Sequence, residues 1–65
     1  MKSHRKGGAY HVQHGALRFI VAPSEDGKAW TLTPDDVPSW DALGKPDAQE
    51  RYPRKRDAMA RIGAL

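Results

Sequence analysis

The chain has 65 residues, eleven Lys and Arg against eight Asp and Glu, and no cysteine. That length supports one small domain with a thin core, and the missing cysteines rule out disulfides and thiolate metal sites. No apolar run approaches the roughly 20 residues of a membrane span, and no apolar stretch follows the basic N-terminus as in a signal peptide, so a cytoplasmic location is expected.

The first eight residues, "MKSHRKGG", have no apolar period and end in two glycines, which predicts a flexible basic arm carrying Lys2, Arg5 and Lys6. Residues 9–65 are then a single domain. "AYHV" alternates and places Tyr10 and Val12 on one face of a strand. "QHG" turns the chain into "ALRFIVA", where Leu17, Phe19 and Val21 share one face and Arg18 and Ile20 the other. "PSEDGK" is a turn signal, and "AWTLT" resumes the alternation with Trp30 and Leu32 facing inward. These three strands predict an antiparallel meander.

Residues 34–53, "PDDVPSWDALGKPDAQERYP", read as a long irregular loop, because proline interrupts regular structure. "SWDAL" has the form of a helical turn with Ser39 as N-cap and Gly44 at its end, and "GKPD" that of a turn. After Pro53 the chain is rich in helix formers. Ala58, Ile62 and Leu65 recur at i, i+4 and i+7, with Met59 beside them, which is the apolar stripe of a core-facing helix. Arg54, Lys55 and Arg56 crowd its first turn, where positive charge opposes the helix dipole. The expected core is Val12, Leu17, Phe19, Val21, Trp30, Leu32, Ala58 and Ile62.

Charge is segregated along the chain. Residues 22–50 hold seven acids and two bases, a net of −5, whereas the two flanks hold nine bases and one acid, a net of +8. Such segregation points to an anionic partner, against the plainer reading of solubilising termini.

Strand, strand, strand, helix, closed by "YPRKRDAMARI", resembles small β-β-β-α modules such as the AP2-like arm-type DNA-binding domains of tyrosine integrases. Tyr52 falls at the aromatic position of their helix entry, Lys55 and Arg56 at its basic pair, and Asp57 and Ala58 at its acid-alanine pair. Arg54 departs from the usual threonine cap, and the acidic loop is longer than in those compact domains. The resemblance covers about 45 residues and rests on a degenerate motif. It implies a sheet face that enters the major groove, here His11, Gln13, Arg18, Ile20, Thr31 and Thr33. Arg18 and Gln13 suit guanine and adenine edges. Ile20 does not, and Trp40 from the loop is the residue that would cover it.

Other chemistry finds little support. His11 and His14 are three apart, which puts them on opposite faces of a strand, so no metal or cofactor is expected. Neither Ser3 nor Ser24 has a histidine-acid context, and Asp35 and Asp36 diverge in extended chain, so an enzyme is not expected.

The fold class read from the sequence is therefore α+β: a three-stranded antiparallel sheet, a long irregular loop, and one C-terminal helix on one face. The functional reading is a small DNA-binding or architectural accessory protein. It would contact double-stranded DNA through Lys2, Arg5, Lys6, Gln13, Arg18, Arg54, Lys55 and Arg56. The rival reading is a protein-interaction module, a phage or mobile-element factor that docks on a host protein through the acidic loop, Trp40 and Ile20. A homodimer is compatible with either.

Overall fold

A computed structural model describes residues 1–44 and 49–65. Five strands and two helices occur in the order β1 (Lys2–Lys6), β2 (Ala9–His14), β3 (Leu17–Pro23), β4 (Trp30–Pro34), α1 (Val37–Leu43), β5 (Glu50–Tyr52) and α2 (Lys55–Gly63). The strands form one antiparallel sheet in chain order. The α+β class and the antiparallel meander hold, but the sheet has five strands rather than three and carries two helices rather than one. Residues 45–48, which include most of the expected "GKPD" turn, lie outside the described residues.

The first added strand comes from the segment expected to be a flexible arm. Gly7 and Gly8 both take positive φ, 59° and 83°, which is the two-residue hairpin turn whose twist matches that of the paired strands. Lys6 therefore pairs with Ala9 and Lys2 with Gln13. All five residues of β1 are exposed, and its lysines, arginine and histidine discourage a further strand from pairing with this edge.

Phe19 and Val21 on β3, Val12 on β2 and Leu32 on β4 point to one face, where Leu43 of α1 and Ala58 and Ile62 of α2 close over them. Leu17 and Trp30, expected in this core, are only half-buried and pack against it, because each stands at the end of its strand. The stripe on α2 is as expected, with Ala58 and Ile62 buried and Met59 and Leu65 packed beside them.

The expected long loop contains both α1 and β5. Helix α1 is capped by Asp36, whose carboxylate accepts the Ser39 amide at 3.0 Å, so the cap lies three residues before the expected Ser39. Gly44 does end the helix, with φ 71°, as a left-handed C-cap. Ser39 has a different task. Strand β4 stops at Pro34, and beyond it the backbone of Arg18 on β3 would lose its partners. The Asp35 amide instead donates to the Arg18 carbonyl at 2.9 Å, and the Arg18 amide donates to Ser39 Oγ at 2.6 Å. The Ser39 hydroxyl and amide hold the Asp36 carboxyl below its ordinary value. This contribution is fully present above the unfolded carboxyl's pKa and is lost as pH falls through the lowered folded value.

Ser39 is fully buried, so Ser39→Ala should leave the Arg18 amide unsatisfied in the interior and cost about 1–3 kcal/mol. Urea melts followed by circular dichroism would read that loss, and an unchanged midpoint would contradict the anchoring role.

Strand β5 ties α2 to the sheet. The buried Glu50 carboxylate accepts from the Tyr52 hydroxyl and, at 3.2 Å, from Arg61 Nε on α2. Burial, together with the neighbouring Glu50 carboxylate, pushes the Tyr52 phenol up from its usual pKa.

Candidate nucleic-acid interface

Both helices pack on the face that carries Val12, Phe19, Val21 and Leu32. Alternation sends the intervening residues to the opposite face, which neither helix covers. The register lays them out in rows. Lys2, Gln13 and Arg18 are cross-strand neighbours; His4, His11, Ile20 and Thr33 form the next row; Ala22, Thr31 and Arg51 form another, with Lys6 beside Ala9 at the β1–β2 end. Lys2, Lys6, Arg18 and Arg51 give the face its positive charge, and all four are solvent-exposed along with Gln13. Gln49 donates to Thr33 Oγ1 at 3.3 Å and continues the polar surface toward β5.

A groove of about 440 Å3 at one end of the face is lined by Lys2, His4, His11, Gln13, Arg18 and Asp35. Carboxylates stand at the rim. Asp35 borders this groove, and Glu25 and Asp26 border the far side near Arg51. Asp26 lies 3.6 Å from Arg51, but both side chains are mostly exposed and such a pair constrains little. Asp26 is itself held by the Ser24 hydroxyl and by the Lys28 amide at 3.0 Å, and these keep its carboxyl below the ordinary range.

Four of the residues expected to contact DNA thus share one surface: Lys2, Lys6, Gln13 and Arg18. The other four do not join them. Arg5 stands in register with Tyr10 on the helical side of the sheet. Lys55 lies over the Tyr10 ring, 3.6 Å from its centre, and Arg54 and Arg56 flank it at the start of α2. His11, Ile20, Thr31 and Thr33 share the open face as expected, and His4 and Arg51 join them there. Arg51 was legible only as part of the alternation Glu50-Arg51-Tyr52, a run too short to signal a strand.

Ile20 sits half-buried near the middle of the open face, in register with His11 and Thr33. Trp40 does not lie over it. Helix α1 turns Ser39 and Leu43 inward against the other face of the sheet and leaves Trp40 44% exposed. Among the described residues no group of three histidines and carboxylates is placed to hold a metal ion, and no helix is long and apolar enough to cross a membrane.

Arg54 occupies the N-cap of α2 with no side-chain hydrogen bond to the helix. Arg54→Ser should supply that bond and stabilise the protein by about 0.5–2 kcal/mol. A thermal melt in dilute solution checks it, and a lowered melting point would show that the arginine itself holds the helix start.

No family model matches the chain, and the curated proteins and solved structures compared with it include none of significant similarity.

Proposed function

We propose that this protein binds double-stranded DNA, without catalysis, by laying the open face of its sheet in the major groove. The observation that carries the reading is a sheet face, covered by neither helix, on which Lys2, Lys6, Arg18 and Arg51 surround polar Gln13, Thr31 and Thr33. The duplex groove is about 12 Å wide, and adjacent strands lie about 4.8 Å apart, so two or three strands fit across it. Strands β1, β2 and β3 carry most of the cations. Arg18 and Gln13, side by side in register, have the forked donors and acceptors that suit guanine and adenine edges. Lysines at the outer strand meet phosphates and fix the protein's position. Ile20 then supplies apolar contact to a thymine methyl. This use of the sheet is the one implied by the resemblance to arm-type domains.

The face has no Phe, Tyr or Trp side chain. Tyr10, Trp30 and Tyr52 pack against the core on the helical side, Phe19 is buried, and Trp40 is on α1. Binding of single strands uses aromatic platforms on which bases stack, so the chemistry here favours duplex. Titration of fluorescent duplex and single-stranded DNA of equal length tests the reading. Duplex should bind more tightly, and its affinity should fall steeply as salt rises. Binding indifferent to salt, or stronger to the single strand, would overturn it.

A further inference from the structure

Two surfaces on the helical side of the sheet have no partner among the described residues. The first is the outer side of α1. Val37 and Trp40, one helical turn apart, are 69% and 44% exposed, with exposed Asp41 beside them. The second is the start of α2, where exposed Arg54 and Arg56 stand against the helix dipole in a turn with no side-chain cap. Lys55, between them, is committed to the Tyr10 ring. None of Asp41, Arg54 and Arg56 makes an ion pair with another described residue.

We propose that these two surfaces meet between copies of the chain, so that Val37, Trp40 and Asp41 of each copy receive Arg54 and Arg56 of the other. The charges are complementary, acidic on α1 and basic at the start of α2. A guanidinium is also the cation best suited to the mixed character of the α1 surface. It stacks on the indole face and forks onto a carboxylate at the same time. The incoming carboxylate in turn offsets the charge crowded at the helix start. One chain carries both halves of the contact. A two-fold arrangement therefore forms it twice and closes, leaving neither half exposed. Both helices lie on the same side of the sheet, so this dimer opposes its helical layers and leaves the two open faces outward. The contact does not depend on what those faces bind.

Sedimentation equilibrium of the full chain, without DNA, tests it over a wide concentration range at low and high salt. The average mass should rise from 7.2 kDa toward twice that value with concentration, and less so in high salt. Trp40→Ala, Asp41→Arg and Arg54→Glu should each weaken association about tenfold or more. All three positions are exposed, and circular dichroism would verify that each variant is folded. Asp41→Arg combined with Arg54→Glu restores the pairing with its charges exchanged, so the double variant should associate more tightly than either single one. A chain that stays monomeric throughout, as it would if α1 served a foreign partner, overturns the proposal. So does a double variant whose two losses simply add.

Discussion

Phe19→Ala should remove a large share of the protein's stability. Phe19 is 1% exposed on the central strand, between Val12 on one neighbour and Pro34 on the other. Both helices close over the cluster to which it belongs. Truncating such a ring removes about 3–5 kcal/mol through lost burial and the cavity left behind. A domain of this length has only about 3–10 kcal/mol of stability in total. The neighbouring residues offer little relief, since Val12, Val21, Leu32 and Ile62 are already fully packed. Urea melts of wild type and variant measure the difference. A midpoint close to wild type would mean that this face of the sheet is not where stability resides.

What could be read from the sequence follows from how strongly each segment is patterned. Strands β2, β3 and β4 carry apolar residues on alternate positions, and that alternation fixed both their existence and their faces. Helix α2 announced itself through Ala58, Ile62 and Leu65. Strand β1 has no such signal, since all five of its residues face solvent and none is apolar. Its evidence was the Gly7-Gly8 pair, a hairpin turn that reads equally well as flexible linker. Strand β5 is three residues long and becomes a strand only because β4 presents an open edge to it. The cap of α1 was misplaced for a related reason. Ser39 is a good cap residue by type, but its hydroxyl is taken by the Arg18 amide, 21 residues away, and Asp36 fills the local role.

The candidate site was legible to the same degree. Gln13 and Arg18 follow from the phase of β2 and β3. Lys2 and Lys6 were expected on an arm, and the β1 pairing is what brings them to the same surface. That pairing also sends Arg5 to the other side. The cluster Arg54-Lys55-Arg56 was the most conspicuous basic run in the chain, yet α2 packs on the helical side and so carries it away from the open face.

This separation yields the second large effect. In the triple variant Lys2→Gln, Lys6→Gln, Arg18→Gln, all three substitutions fall at exposed positions on the open face. Melting should change little, because surface substitutions of this kind are worth about 0.5 kcal/mol or less each. Each phosphate contact contributes about 0.9 to the slope of log affinity against log salt, so losing the three cations should flatten it by about 2–3 units. Affinity for duplex at low salt should fall by orders of magnitude. The double variant Arg54→Gln, Arg56→Gln removes charge from the helical side and should leave the slope at its wild-type value.

The salt slope of duplex binding, measured side by side for wild type and these two variants, therefore tests most directly whether the open sheet face is the binding surface. A slope flattened by the sheet variant and unchanged by the helix variant is the predicted result. A sheet variant that binds duplex with the wild-type slope would contradict it.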